Sequence, residues 1–367
     1  MTPSLKTLNW RSFLARPPLP PPPSEALDSL RLQPILITGA GGSIGSALAL
    51  RLAALAPPML ILLDASESNL YNLERAWAES GAASPVTLIL GDAGDRALIE
   101  ETFATHAPRV IFHAAAFKHV PLMEEHPLAA IANNVFATET LVEAAAAHGA
   151  RVVLLSTDKA VEPASVMGAT KRAAEQMVLA RGGTALRLGN VLASRDSVAE
   201  TFARQIAQGG PITVTDPAAR RYFLTLDEAV DLLLTAATYP EQPALLAPAL
   251  PATHFIADLA QFMARELAPG RPIAIDFTGL RPGDKETELL WSAGDSTRPA
   301  GLGGLVSIQA PVLPSALLNN SLAGLRAALQ ARDLAASLVH LRSLVPDYTP
   351  SQAVLAHSRL CRQRVPQ

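Results

Sequence analysis

The sequence predicts an α/β protein: a doubly wound parallel sheet followed by a smaller mixed α/β region. Three observations carry this prediction. Six short apolar runs rich in β-branched residues alternate with helical segments between residues 34 and 190. The first run breaks into Gly39-Ala40-Gly41-Gly42-Ser43-Ile44-Gly45 and opens a helix. The fifth run ends in Ser156-Thr157-Asp158-Lys159, which puts hydroxyls, a carboxylate and an amine at the carboxyl edge of the sheet. That edge is where open α/β sheets bind ligands.

Composition bounds the rest. The chain has 367 residues, 49% hydrophobic and 17% charged, enough for a real core. A net charge of -3 with no long basic run argues against nucleic acid as partner. A lone Cys361 excludes an internal disulfide framework, offers no metal-ligand cluster and fits a reducing compartment. No apolar stretch reaches the roughly 18 residues that a membrane span needs. Trp10, Arg11 and Arg16 interrupt any signal-peptide layout, so the expectation is a cytoplasmic protein without an integral membrane segment.

Residues 1–33 read as an arm. Leu5–Leu14 suits a short docking helix, and the proline run 17–23 is a stiff spacer lacking backbone donors at its prolines. Residues 34–190 form the sheet domain. The glycine spacing, at 39, 42 and 45, permits a tight turn and lets N–H groups at the helix start meet a pyrophosphate. The second strand, Met59–Leu63, ends in Asp64, placed either to accept from an adenosine ribose or to cap the next helix; one carboxylate can do both. It would repel a 2′-phosphate, so NAD is the cofactor this motif predicts. After the third strand (Val86–Leu90), Asp92 suits either an adenine amino group or a helix cap. After the fourth (Arg109–Phe112), the small Ala114, Ala115 and Ala116 leave room for a flat nicotinamide, with Lys118 and His119 following as substrate contacts. A helical run over 127–148 carries Asn133 and Asn134, one of which can brace the loops around the cofactor. A sixth unit, Ala185–Leu188, runs into Asn190.

Beyond residue 191 the alternation dissolves into shorter pieces. Residues 191–300 read as a substrate region with some return to the core; its basic spots, Arg220-Arg221 and Arg281-Pro282-Gly283-Asp284-Lys285, suit diphosphate oxygens, and the resemblance given below favours Arg221 and Arg281. From 301 onward, leucines at helical spacing (322, 325, 329, 334, 338, 341) predict a helical cap or an oligomer contact.

Single-sheet NAD enzymes usually place Tyr-x-x-x-Lys after the fifth strand. Here residues 71, 222, 239 and 348 are the tyrosines, and none has lysine four positions on. Met167 stands where the phenol would be, four residues before Lys171. A thioether exchanges no proton, which turns attention to Asp158 and Lys159.

The motifs TGAGGSIGS, LLDASESNLYNLE, HAAAFKHVPLMEEHP, LLSTDKAVEPASVMGATKR, LRLGNVLAS, RRYFLT and FTGLRPGDK occur in this order. Over residues 12–350 the chain thereby resembles the CapD-like nucleotide-sugar 4,6-dehydratases of bacterial polysaccharide biosynthesis, extended short-chain dehydrogenase/reductases with a Rossmann-type domain. FLARPP, before the first strand, resembles the linker to the membrane segments of long members. The resemblance implies an NAD-dependent lyase acting on a UDP-sugar such as UDP-N-acetylglucosamine, assembled as a homo-oligomer. It implies hydride removal from C4, loss of the C5 proton and the C6 hydroxyl, and hydride return to C6. Lys159 would be the C5 base and Asp158 the acid at C6, with Thr157 and Lys171 at the C4 hydroxyl and nicotinamide ribose. Ser43, Ile44 and Ser156 join the cofactor set, and Asn190 and Ser194 the substrate set. For that base, a lysine near ~10.4 has to fall to about 8, roughly 3 kcal/mol of environment.

Two stretches depart from the family pattern. Its usual Gly-Ser-Ser-Gly-Ser is Ala193-Ser194-Arg195-Asp196-Ser197, and its usual Asn is Glu162. The alternatives are a nucleotide-sugar 4-epimerase, which needs no C5 base, and a non-catalytic NAD-binding scaffold or sensor.

Overall fold

The computed structural model describes residues 5–363; the side chain of Cys361 lies outside what is described. The central sheet has nine strands: β1 (Ile35–Thr38), β2 (Leu60–Asp64), β3 (Val86–Leu90), β4 (Val110–His113), β5 (Arg151–Thr157), β6 (Thr184–Leu188), β7 (Ala244–Pro248), β8 (Ser296–Pro299) and β9 (Leu305–Gln309). Their order is β3-β2-β1-β4-β5-β6-β7-β9-β8. The first seven run parallel, while β9 and β8 add an antiparallel edge. The order reverses between β1 and β4, which opens a crevice at their carboxyl ends. β1, β2, β4 and β6 are buried along their whole length, as strands covered on both faces must be.

The six sequence-predicted strands are all present. The edge differs from expectation: residues 305–309 pair with β7, so the helical cap starts only at Ser315. Its leucines 322, 325, 334, 338 and 341 are buried in the main core. The run over 127–148 is also divided. Pro127–Ile131 and Ala137–Ala147 flank a π-helical turn, Ala132–Phe136, which rotates Asn134 inward.

A second hydrophobic cluster, around Phe202, Phe223, Leu259, Phe262 and Met263, forms the smaller lobe. The arm belongs to it. Trp10–Leu14 is helical, and Phe13 packs on Phe223 and Phe262 with ring centroids 5.6 and 5.4 Å apart. Arg16 then grips Glu228 through two hydrogen bonds of 2.6 and 2.8 Å. After the prolines a helix unread in the sequence, Ser24–Arg31, buries Leu30 in the main core.

Candidate active site

The glycine turn is built by close approach. Gly39 has φ +68°, and a Cβ there would lie 2.6 Å from the Ala115 backbone nitrogen. A Cβ on Gly45 would meet the Gly39 carbonyl at 2.1 Å. Only glycine fits either place. The helix that follows, Ser43–Ala53, has no side-chain cap, so its first N–H groups are left for an outside acceptor.

Gly39, Gly42, Ser43, Ile44 and Gly45 all line a cleft of about 1040 Å³ between the sheet edge and the smaller lobe. Ala114, Ala116, Ser156, Thr157, Lys159, Met167, Lys171, Lys118, His119, Asn190, Ser194, Arg221 and Arg281 line it too. Asp64, Asp92, Ala115, Asn134 and Asp158 stand outside that lining. Asp64 accepts from Gly41 N at 2.8 Å and Ser66 N at 2.9 Å, tying the turn to β2, while Ser66 caps the next helix. Its remaining lone pairs are available to a ribose. Asp92 is exposed and closes a local turn onto Gly94 N; Asp95 is the helix cap. Asn134 braces, accepting from Phe117 N (2.8 Å) and donating to Phe117 O and Thr170 Oγ1 (3.0 Å each).

The central pair is an ion pair with one face on the cleft. Lys159 Nζ donates to Asp158 Oδ1 at 3.0 Å and Asn190 Oδ1 at 3.2 Å, with Glu288 at 3.9 Å. Asp158 is fully buried; Thr157 Oγ1 donates to its Oδ1 at 2.9 Å, and its Oδ2 has no partner. Burial pushes the Lys159 amine toward neutrality, but the carboxylates of Asp158 and Glu288 outweigh it and hold its pKa above the ordinary lysine value. This is the reverse of the expected drop. Glu288, far along the chain just past the Arg281–Lys285 motif, supplies the extra charge.

Two cleft amines are lowered, Lys118 by burial and, more strongly, Lys171. Burial brings its pKa down to about 8, against the opposing pull of Glu175. It makes no hydrogen bond or ion pair with another described residue, and it lies one helical turn after Met167. His113, sealed behind the cleft between Thr38 and Thr138 (2.7 and 3.0 Å), is driven by burial, with help from Lys171, to about 3 and stays neutral.

Several candidates are already engaged. Ser156 donates to Glu175 at 2.6 Å, Arg221 donates to the carbonyls of residues 220, 285 and 286, and Arg281 pairs with Asp284 at 2.8 Å. Ser194 Oγ turns back onto Val191 O. Both departures from the family pattern land on left-handed backbone: Glu162, Ala193 and Asp196 have φ of 43°, 57° and 56°. The glycine-type loop shape is thus kept without glycine. It brings Arg195 onto the glycine turn, where Nη1 donates to Asn69 Oδ1 (2.7 Å), Nη2 to Gly41 O (2.6 Å) and the backbone N to Ser43 Oγ (2.8 Å). Lys118 Nζ holds the same loop through Arg195 O at 2.7 Å. The sequence signalled Arg195 only as a departure from pattern.

Residues 35–310 match the family described as "Polysaccharide biosynthesis protein". The chain belongs to this family. Its relatives include "Probable polysaccharide biosynthesis protein EpsC" of Bacillus subtilis and "Capsular polysaccharide biosynthesis protein CapD" of Staphylococcus aureus, 37% and 36% identical over 78% of this chain. The chain spans about half the length of these two, 49% and 50%. A "UDP-glucose 4-epimerase" of Rickettsia typhi is 33% identical over 75% of this chain and 82% of its own. Among solved structures, Pen from Bacillus thuringiensis superposes with a TM-score of 0.70 at 27% identity, covering 77% of this chain and 91% of that one. Among the described residues no group of His, Cys, Asp and Glu is arranged to hold a metal, and no helix is long and apolar enough to cross a membrane.

Proposed function

We propose that this protein is a nucleotide-sugar 4,6-dehydratase using NAD, and that it acts on a UDP-hexose such as UDP-N-acetylglucosamine. The observation that carries the proposal is the Asp158–Lys159 ion pair at the cleft, with Met167, which exchanges no proton, on the same wall one turn before Lys171. The residues fit the dinucleotide: the close-packed glycines, the uncapped helix start and Asp64 form a cradle for pyrophosphate and ribose. Bound there, NAD supplies a hydride acceptor that returns what it takes.

The protein's own groups then handle protons. Lys171, about one-tenth neutral at pH 7 for a pKa near 8, relieves the C4 hydroxyl of its proton. Lys159 is the member of the pair that opens on the cleft, so exchange at C5 and C6 passes through its amine. In its neutral form Lys159 is the base that takes the C5 proton, with Asp158 at 3.0 Å holding the amine at the cleft. The resulting ammonium then protonates the departing C6 hydroxyl, and water leaves; when C6 regains hydride, C5 takes a proton from the same amine, recharged by solvent. In this reading Asp158 works through Lys159 and does not touch the sugar.

The epimerase relative supports a second reading, a 4-epimerase on the same cleft. Incubation with UDP-N-acetylglucosamine separates the two. Dehydration gives a product lighter by one water with a C4 ketone in its NMR spectrum; epimerisation gives unchanged mass. An unchanged mass with an inverted C4 would replace the first reading by the second.

A further inference from the structure

We infer that the protein carries a second binding site, for a phosphate-type oxyanion, at the amino edge of the same sheet. A concavity of about 300 Å³ lies there, on the side away from the cleft. Arg109, just before β4, Arg151, the first residue of β5, and Arg181, after the helix Val166–Ala180, all line it. Its wall contains no aspartate or glutamate. None of the three guanidinium groups makes an ion pair with a described residue. The nearest influence, Glu139 on Arg181, comes from a carboxylate already paired with Arg326.

The bland explanation is that these arginines answer the negative ends of two helices, Ala137–Ala147 and Val166–Ala180, which terminate here. Arg109 does so in part, donating to His148 O at 3.2 Å. Each helix end carries about half a negative charge, so two of them offset about one of three positive charges. About two remain. Arg151 adds an independent sign: its Nε is buried without a partner, while its Nη1 finds an acceptor in Gln242 only when that amide is turned over, at 3.2 Å. A buried charged donor left unpaired is costly unless something accepts from it.

Excess charge of about +2, guanidinium forks and no competing carboxylate suit a compact phosphate or diphosphate. The cavity sits at the lower limit of small-molecule sites. β5 links the two sites. Arg151 begins it and Thr157 ends it, about 20 Å away at ~3.3 Å per residue, so this site and the cleft fill without competing.

Calorimetric titration tests the inference, with inorganic pyrophosphate and with UDP, on the intact chain and on an Arg109→Gln/Arg181→Gln variant. The expected result is one saturable site per chain that weakens at least tenfold in the variant. Loss of a pyrophosphate site alone points to the inorganic ion; loss of one of two UDP sites points to a nucleotide tail. Should neither ligand lose a site in the variant, the inference is wrong. If the variant does not fold, phenylglyoxal labelling of the unaltered chain decides: pyrophosphate must protect Arg109 and Arg181, and equal labelling with and without it overturns the assignment.

Discussion

Two buried charge clusters lie close together on the same wall of the sheet, and they are finished differently. In the first, Glu175 is fully used. Oε1 accepts from Ser156 and Arg187 Nε, and Oε2 accepts from Arg187 Nη2 and Arg172, all within 2.6–2.9 Å. In the second, Asp158 Oδ2 has no partner and Lys159 faces a cleft large enough for a nucleotide sugar. A closed network fixes structure, whereas one with an open valence and a route to solvent can move protons. Under the proposed function, the first cluster maintains the fold and the second carries the chemistry.

Breaking the second cluster should give the largest effect. Lys159→Ala is expected to lower kcat by about 10³, the middle of the range for a lost acid–base group, while NAD binding persists. Steady-state kinetics with a cofactor titration checks both halves. A loss within a few-fold would move the proton chemistry elsewhere. Breaking the first cluster should instead cost stability: Glu175→Gln leaves Arg187 buried and unpaired, at about 3–5 kcal/mol in urea unfolding. Its carboxyl pKa is held at about 2: burial raises it, and Arg187, Arg172 and Ser156 more than offset this. The contribution is therefore present above the unfolded value of ~4.3 and lost as pH falls toward 2; the Gln variant should lack this acid limb.

Lys171 belongs to neither cluster. Because its amine must be neutral to accept a proton, kcat/KM should rise about tenfold per pH unit toward pH 8 and level above it. Lys171→Met should flatten that limb along with most of the rate. A smaller effect is expected at the loop: Arg195→Ser removes the fork on Gly41 and Asn69 and should speed cofactor loss about tenfold, read by NAD fluorescence exchange. The least is Ala193→Gly, expected to stabilise by about 1 kcal/mol by relieving a left-handed φ of 57°.

The glycine turn was legible because its signals are local. A strand, a glycine turn and a helix sit within twenty residues, and the structure places Gly39, Gly42 and Gly45 where that order predicts. The substrate half was legible only as single residues. Lys159 was read as a site residue and does line the cleft, but part of what raises its pKa is Glu288, which tertiary folding alone brings near. Ser24–Arg31 hid behind the proline run, and 305–309 read as helix because pairing with β7 overrides its weak local preference. Arg195 was visible as an oddity, without a hint that its fork would reach back to Gly41.

Running the reaction on UDP-N-acetylglucosamine in deuterium oxide tests the central assignment most directly. Proton traffic through Lys159, whose amine exchanges with solvent, predicts a product lighter by one water that carries solvent deuterium at C5. A product with no deuterium at C5 and the mass of the starting sugar would contradict it.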